Sequence, residues 1–300
     1  MRRASLIYHP GGGSAEVAEI DQVRSLLSQS FDLETLLVDE HTDPGVLAQR
    51  ALAGGSTLLI ACGGDGTVSS VAAALVAHGS GQLGILPRGT ANSIATHLGI
   101  PNNLQDACHV LSSGHERVVD TARVNDKPMV LMAALGVHAD AITGVDPARK
   151  RQLGVLAYVL EELELMREDS LFEATLTVDG EQFTCEASAI TVANLAPFST
   201  LPAQGPDQII DDDGKLDVTV IALRGFADAV FTSLHLAHHA FSRTPTDRDN
   251  IAFFRASEVR VETRKPRALM VDGEAAGETP LHVQSVPRSL RVLVPPTADA

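Results

Sequence analysis

The chain has 300 residues, of which 44% are hydrophobic and 20% are charged, and its formal net charge is −15. This length and apolar fraction predict about two globular domains of ordinary size. The negative charge argues against a nucleic-acid-binding protein, because such proteins neutralise phosphates with lysine and arginine. It also disfavours broad adhesion to anionic membranes, so any membrane contact has to be local.

The first part of the chain alternates strand and helix patterns. The predicted strands are residues 5–8, 33–38, 57–62 and 83–87, and the predicted helices are residues 15–29, 44–53 and 68–77. This alternation is typical of a doubly wound, mostly parallel sheet in an α/β domain. We expect this domain to occupy residues 1–122. It contains neither a Walker lysine loop nor a dinucleotide fingerprint.

A glycine-rich segment follows the third predicted strand. The segment Gly63-Gly64-Asp65-Gly66-Thr67 stands between a wholly apolar run and a helix pattern. Glycines let the backbone approach a ligand closely, and the free N–H groups of a helix N-terminus attract anions. We expect Asp65 or Thr67 to cap this helix. A carboxylate among phosphates needs a bridging cation or a proton to move, so Asp65 indicates Mg²⁺ or proton chemistry.

A second loop of the same design follows the fourth predicted strand. The segment Arg88-Gly89-Thr90-Ala91-Asn92 precedes a short helix pattern at residues 93–98. Arg88 offers a charge for phosphate, and Thr90 and Asn92 offer hydroxyl and amide hydrogen bonds. Open α/β sheets bring the loops of adjacent strands to one crevice, where they bind ligands. Two such loops in tandem predict a phosphate site more specifically than one.

The pattern changes after residue 121. Strand-like stretches then predominate, at residues 128–135, 172–178, 184–193, 216–222 and 251–262. With turn signals between them, they predict a mainly antiparallel β-sandwich at residues 123–288. We expect a closing strand at residues 289–294 to return to the first domain, together with the remaining residues to 300.

The cysteines and the N-terminal residues indicate in which cellular compartment the protein is expected. Cys62, Cys108 and Cys185 are odd in number and widely spaced, as is typical of reduced thiols in a cytoplasmic protein. Residues 1–3 lead into a short strand pattern and not into a signal peptide. No apolar run is long enough to cross a bilayer. We therefore expect a cytoplasmic protein.

Taken together, four motifs resemble the diacylglycerol kinase catalytic family, the bacterial lipid kinases related to sphingosine and ceramide kinases and more distantly to NAD kinase. The motifs are GGDGT at residues 63–67, LGILPRGTAN at 83–92, DDDGKLDV at 211–218 and VDGE at 271–274. The resemblance covers nearly the whole chain. It implies an ATP- and Mg²⁺-dependent kinase of lipid metabolism that phosphorylates the hydroxyl of a diacylglycerol-like lipid.

The resemblance also implies which residues bind nucleotide and metal. The nucleotide residues would be Thr42, Gly63, Gly64, Asp65, Gly66, Thr67, Arg88, Gly89, Thr90 and Asn92. A Mg²⁺ site would be formed by the Asp213 side chain with the backbone carbonyls of Ile210 and Lys215. From the residues alone, an Asp-rich run before a glycine is more often a solvated turn.

Three acids are candidates for the chemistry. In a strand, Asp272 and Glu274 would face the same side, whereas the dipeptide Asp272-Gly273 favours a hairpin turn. The resemblance implies that Asp272 is the base that accepts the lipid hydroxyl proton and that Glu274 supports it. Asp65 is the rival base or the residue that holds Mg²⁺–ATP, and we assign it the second role. In phosphoryl transfer such a carboxylate mainly orients the hydroxyl.

The chain departs from the family pattern at several positions. Ser69-Ser70 replaces Asn-Glu, Ser93 replaces Asp, and His9 replaces Asn. These changes bear on the acceptor more than on ATP binding. The alternatives are an NAD or sphingosine-type kinase, or a nucleotide-binding regulator without turnover. As partners we expect a lipid substrate at a membrane surface and no nucleic acid, with a homodimer left open. A lipid substrate implies a cytoplasmic protein that is transiently peripheral at the membrane.

Two weaker patterns lie after residue 121. His235, His238 and His239 fall on one predicted helix, which favours a plain helical face over a zinc site. The basic run at residues 149–151 precedes an apolar helical stripe, a pattern more typical of core than of a membrane surface. The basic run itself is a candidate docking site for anionic lipid headgroups.

Overall fold

The computed structural model describes residues 1–10, 14–39, 41–136, 171–197, 209–223, 232 and 249–296. The chain divides into two compact units. The first unit consists of Met1–Val119 with Arg288–Ala300, and the second of Asp120–Pro287. The sequence prediction had the division at residue 122, with the last residues returning to the first domain.

The first unit is built on a parallel sheet. Strands β1 (Arg2–Tyr8), β2 (Phe31–Leu37), β3 (Leu58–Gly63) and β4 (Gln82–Pro87) lie in the order β2-β1-β3-β4. The helices that accompany them are α1 (Ser14–Leu27), α2 (Pro44–Ala53), α3 (Asp65–His78), α4 (Ser93–His97) and α5 (Leu104–Ser113). β3 is buried along its whole length, as a central strand of a parallel sheet should be.

The helix starts show how local sequence fixes this unit. α2 begins where the sequence predicts, because the Asp43 side chain accepts hydrogen bonds from the first-turn N–H groups and Pro44 follows it. α3 begins at Asp65, three residues before the predicted start. Its N-cap is Gly64 and no side chain caps it, so the predicted cap by Asp65 or Thr67 is wrong. The Asp65 carboxylate is used elsewhere, as described below.

The second unit consists of antiparallel sheets. Its strands are β5 (His115–Val124), β6 (Lys127–Met129), β7 (Met132–Gly136), β8 (Phe172–Val178), β9 (Glu181–Ala187), β10 (Ala189–Ala193), β11 (Leu216–Ile221), β12 (Ile251–Ala256), β13 (Glu258–Thr263), β14 (Ala268–Val271), β15 (Glu274–Glu278) and β16 (Leu281–Val294). One sheet has the order β12-β11-β10-β7-β14-β15, and in another β13 pairs with β16 and β8, which pairs with β9. The first residues of β5 and the last of β16 belong to the first unit, where Val292 pairs in parallel with Leu83.

The core of the second unit is mainly aliphatic and buried. It includes Leu135, Leu176, Ile190, Val218 and Val259, each at most 1% exposed. The fold class predicted from the sequence, an α/β domain followed by an antiparallel β-sandwich, is confirmed. No helix among the described residues is both long enough and apolar enough to cross a membrane.

Three stretches that the sequence predicts as single long strands each form two strands in the structure. Residues 184–193 are divided at Ser188, whose hydroxyl accepts the Leu223 N–H, and residues 251–262 are divided at Ser257. Residues 128–135 are divided at Val130 and Leu131. In each case the dividing residues use backbone or side-chain groups in bonds outside the ladder, which ends the strand.

Candidate functional site

The two glycine-rich loops of the first unit touch each other. A Cβ on Gly89 would lie 2.6 Å from the Cα of Gly64, and a Cβ on Gly64 would lie 3.1 Å from the Cα of Gly89. Beside this contact, the Arg88 N–H donates to the Gly63 carbonyl at 2.8 Å. Only glycine lets two backbones approach so closely, so the glycines at these positions join the two loops into one surface.

The Asp65 carboxylate connects the first glycine-rich loop to the helix that follows the second. Its oxygens accept the N–H groups of Ser93 and Ile94, each at 3.0 Å. These N–H groups belong to the first turn of α4, where Asn92, the N-cap residue, makes no side-chain cap. Asp65 thus caps the neighbouring helix instead of its own. Its predicted role toward Mg²⁺–ATP stays a prediction.

The start of α3 presents unused donors at the carboxyl ends of the strands. Within the described residues, the backbone N–H groups of Asp65, Gly66 and Thr67 donate to no protein atom, whereas the Val68 N–H returns to Gly64 O at 3.1 Å. Unsatisfied N–H groups at the positive end of a helix dipole form a site for an anion. This is the strongest feature of the first unit for binding phosphate.

Thr67 is held in place over the glycine loop. Its Oγ1 would lie 2.5 Å from a Cβ on Gly63, and it is 3.4 Å from Nδ1 of His9 at the end of β1. Thr67 is 5% exposed. The residue therefore packs against the loop backbone and cannot rotate freely toward solvent.

The second loop uses its amide side chain internally. Asn92 has a positive φ of 48°, its Oδ1 accepts the Gly89 N–H at 2.6 Å, and its Nδ2 donates to the Gly89 carbonyl at 3.0 Å. Asn92 thus shapes the loop, and Thr90, two residues before it, is exposed. The roles predicted for Gly89, Thr90 and Asn92 toward nucleotide remain predictions.

Arg88 does not present a free charge. Its Nη1 pairs with Oε2 of Glu19 on α1, and the Arg88 side chain is only 17% exposed. The positive charge that the sequence offers to phosphate is therefore already paired within the protein. Sequence reasoning missed Glu19, because an acidic residue on an amphipathic helix normally indicates a solvated face.

Thr42 lies beyond the end of β2, next to α2. Its hydroxyl donates to Asp39 Oδ1 at 2.7 Å, and the His41 N–H donates to the same oxygen at 2.9 Å. These bonds lower the pKa of Asp39, and the bond from the Thr42 hydroxyl contributes most. Because its proton is directed at Asp39, the Thr42 hydroxyl can offer a ligand only lone pairs. This suits a ribose hydroxyl or an amino group better than a phosphate.

In the second unit, Asp272 and Gly273 form the turn of the β14–β15 hairpin. Both have positive φ, 51° and 89°, so the hairpin turn predicted from the Asp-Gly dipeptide is confirmed. The alternative of an extended strand through Asp272 is wrong, because an extended strand requires a negative φ.

The Asp272 carboxylate is engaged by the backbone. It accepts the N–H groups of Val130, Leu131 and Met132 at 2.8, 2.8 and 3.1 Å. The Asp272 N–H returns to the Met132 carbonyl at 2.9 Å. These bonds occupy acceptor positions of the carboxylate that a substrate hydroxyl would otherwise use.

Glu274 differs from Asp272 in its surroundings. It is the first residue of β15 and is exposed. Within the described part of the chain, its carboxylate makes no hydrogen bond or ion pair with another residue. Of the two acids in the VDGE motif, Glu274 therefore has the carboxylate that is available to a substrate.

The acidic segment near residue 213 is closed by internal bonds. Asp213 accepts the Lys215 N–H at 3.0 Å and pairs with Arg255 at 2.7 Å. A cation at Asp213 would compete with this guanidinium, so the side chain as placed does not fit the predicted Mg²⁺ site. Ile210 is 46% exposed, and its carbonyl and that of Lys215 remain predicted ligands. Among the described residues, no three metal-ligating side chains cluster together.

Two buried polar residues near this segment were missed. Asp120 is fully buried, and its carboxylate accepts the Gly214 N–H at 2.6 Å. The Asn194 amide donates to the carbonyls of Asp120 and Val130 at 3.0 and 2.9 Å. An asparagine at the end of an apolar strand was the available signal for Asn194, whereas nothing in the sequence distinguishes Asp120.

The structure assembles some of the predicted residues and leaves others apart. In the first unit it brings together Gly63, Gly64, Asp65, Gly66, Thr67, Arg88, Gly89, Thr90 and Asn92. Thr42 follows β2, which lies on the far side of β1 from β3. In the second unit, Asp213 pairs with Arg255, whereas Asp272 accepts the backbone N–H groups of residues 130–132. The basic run 149–151 and the three histidines at 235, 238 and 239 lie outside the described residues.

Two family models match the chain. Residues 3–124 match the diacylglycerol kinase catalytic domain. Residues 132–294 match the YegS C-terminal NAD kinase beta sandwich-like domain. Together these matches cover both units of the structure.

Curated relatives match along nearly the whole chain. The "Uncharacterized protein sll0036" of Synechocystis sp. is 37% identical over 97% of this chain and 70% of its own length. The "Probable lipid kinase YegS-like" of Klebsiella pneumoniae is 30% identical over 98% of this chain and 96% of its own length. A diacylglycerol kinase structure from Bacillus anthracis str. Sterne superposes with a TM-score of 0.76 at 21% identity, covering 99% of this chain and 98% of that one. At that identity the structural likeness supports the fold alone.

These matches agree with the four motifs, the paired glycine loops and the unused donors at the start of α3. Relatives that match along nearly the whole chain are named lipid kinase and diacylglycerol kinase. The chain therefore belongs to the diacylglycerol kinase catalytic-domain family, with a C-terminal domain of the YegS type.

Proposed function

We propose that this protein is a lipid kinase that transfers the γ-phosphate of Mg²⁺–ATP to the hydroxyl of a diacylglycerol-like lipid. The observation that carries the proposal is the set of unused N–H groups at residues 65–67, which stand at the start of α3 beside the contact between the two glycine loops. Mg²⁺ comes with ATP as part of the substrate, where it offsets charge on the phosphates.

The loops would bind the phosphates through the backbone. Donors at a helix N-terminus bind anions without adding positive side chains, which is consistent with a protein of net charge −15. Asp65 would support this surface by holding α4 against it. The remaining lone pairs of its carboxylate are available to the Mg²⁺ of the nucleotide.

For the base, we propose Glu274 in place of Asp272. The Asp272 carboxylate already accepts three backbone N–H groups, whereas Glu274 is exposed and accepts none from the residues that the structure describes. A carboxylate that orients the acceptor hydroxyl needs free lone pairs to accept its hydrogen bond. Asp272 would then act indirectly, by fixing the hairpin that carries Glu274.

The proposal also implies where the protein works. A diacylglycerol-like acceptor is embedded in a bilayer, so the enzyme has to reach a membrane surface, at least transiently. A protein of net charge −15 would do so through a local contact and not through general attraction to anionic lipid.

The test is transfer of labelled γ-phosphate from Mg²⁺–ATP to a panel of acceptors. The panel contains diacylglycerol, monoacylglycerol, ceramide and sphingosine in mixed micelles. NAD is the soluble control, because the C-terminal family is described as NAD kinase-like. Label on diacylglycerol supports the proposal, and label on sphingosine or ceramide would move the substrate to that branch. Label on NAD alone would overturn the lipid assignment, and ATP binding with no labelled acceptor would favour a regulator.

A further inference from the structure

The Arg88–Glu19 pair connects three elements around the glycine loops. The Arg88 backbone N–H donates to the carbonyl of Gly63, the last residue of β3 and the first of the GGDGT segment. Its side chain pairs with Glu19 on α1, and Arg88 itself is the first residue after β4. One residue thus links both glycine loops to the helix that follows β1.

This placement conflicts with a role for Arg88 as a phosphate ligand. The guanidinium is mostly buried, and its charge is compensated by Glu19. A guanidinium that bound phosphate would have to leave a carboxylate partner and turn toward solvent. Without that movement, Arg88 can influence a ligand only through the position of its loop.

We infer that Glu19 is a positioning residue of the nucleotide site, and that the Glu19–Arg88 pair clamps α1 to the second glycine loop. The inference rests on the proposed function, since it assumes that the loops bind nucleotide. In the clamp, Arg88 acts through the loop backbone. Its N–H is bound to Gly63 and its guanidinium to Glu19, and these two bonds maintain the contact between Gly64 and Gly89.

The two possible roles of Arg88, as part of a clamp or as a phosphate ligand, predict opposite effects of the substitution Glu19→Gln on Mg²⁺–ADP binding. If Arg88 were a phosphate ligand held back by Glu19, Glu19→Gln would free it, and Mg²⁺–ADP would bind as well as before or more tightly. If the pair is a clamp, Glu19→Gln releases the loop just as Arg88→Gln does. Each variant then binds Mg²⁺–ADP about tenfold more weakly, and the double variant is no weaker than either single variant.

The experiment is titration calorimetry of Mg²⁺–ADP with the wild type, both single variants, the double variant and the charge swap Glu19→Arg/Arg88→Glu. Asp21→Asn is the matched control, because Asp21 lies on the same helix in an exposed pair with Arg24 and should leave affinity unchanged. Thermal melts check that each variant is folded. The clamp predicts non-additive losses and at least partial rescue in the charge swap.

Steady-state kinetics provide a readout that general destabilisation would not mimic. The clamp predicts a raised KM for ATP, with kcat and the KM for the lipid little changed. Unchanged or tighter Mg²⁺–ADP binding by folded Glu19→Gln overturns the clamp and leaves the proposed function intact. Additive losses in the double variant also overturn it. Failure of the wild type to bind Mg²⁺–ADP overturns the proposed function and, with it, this role of Glu19.

Discussion

Removing the Asp272 carboxylate should destabilise the second unit before it affects any chemistry. In Asp272→Ala, the N–H groups of Val130, Leu131 and Met132 lose the acceptor that they share. The substitution also places alanine at a φ of 51°, where a residue without a polar side chain is disfavoured. Both effects act on the folded state, whatever the residue does in catalysis.

The magnitude follows from these contacts. Each part-buried N–H left without a partner costs about 1 kcal/mol at the low end of the usual range, which gives about 3 kcal/mol for the three. The left-handed backbone adds about 1 kcal/mol for alanine. We therefore expect Asp272→Ala to lower the free energy of unfolding of the second unit by about 3–5 kcal/mol. Asp272→Asn should lose about 1–2 kcal/mol, because asparagine tolerates this backbone and keeps one acceptor oxygen.

Glu274→Gln is the matched comparison within the same hairpin. Glu274 is exposed, so this substitution should change the free energy of unfolding by no more than about 0.5 kcal/mol. The assay is urea unfolding followed by circular dichroism, with hydrogen exchange at residues 130–132 as the local readout. An Asp272→Ala protein with the wild-type unfolding midpoint and unchanged exchange would refute the role given to this carboxylate.

Other predictions concern the loops and the thiols. Gly89→Ala places a methyl 2.6 Å from the Cα of Gly64 and should weaken Mg²⁺–ADP binding at least about tenfold; unchanged affinity in calorimetry would show that the loops do not need to touch. Asp65→Ala uncaps α4 and should cost the first unit about 1–2 kcal/mol in urea unfolding, and an unshifted midpoint would contradict this. Burial raises the pKa of Cys62 to about 12 and that of Cys108 to about 11, so both thiols stay protonated at pH 8. They should therefore resist iodoacetamide until urea unfolds the chain, and rapid labelling of the native protein would refute their enclosure.

The sequence predicted those features of the fold that depend on neighbouring residues. α2 was found with its correct ends because Asp43 and Pro44 are a strong local start signal. α5 was overlooked, although Asn103 caps it by accepting first-turn N–H groups. The division of the long strands at single serines was also missed, because one polar residue barely disturbs an apolar run.

The candidate site was predictable as a set of motifs but not as a set of contacts. The partners of Asp272 are backbone N–H groups about 140 residues earlier, and a backbone donor has no sequence signature. The pairing of Arg88 with Glu19 depends on where α1 packs, which periodicity does not specify. The sequence therefore identified the VDGE and PRGTAN segments. Only the tertiary structure shows which of their side chains are already bonded to other residues of the protein.

The most direct test of the proposed chemistry is the rate at which wild type and Glu274→Gln transfer labelled γ-phosphate from Mg²⁺–ATP to diacylglycerol in mixed micelles. A lipid kinase with Glu274 as its base gives labelled lipid with the wild type. In Glu274→Gln, kcat should fall at least about 100-fold, while folding and Mg²⁺–ADP affinity are kept. If the enzyme phosphorylates NAD and yields no labelled lipid, the lipid assignment is contradicted. Undiminished transfer by Glu274→Gln would contradict the assignment of the base.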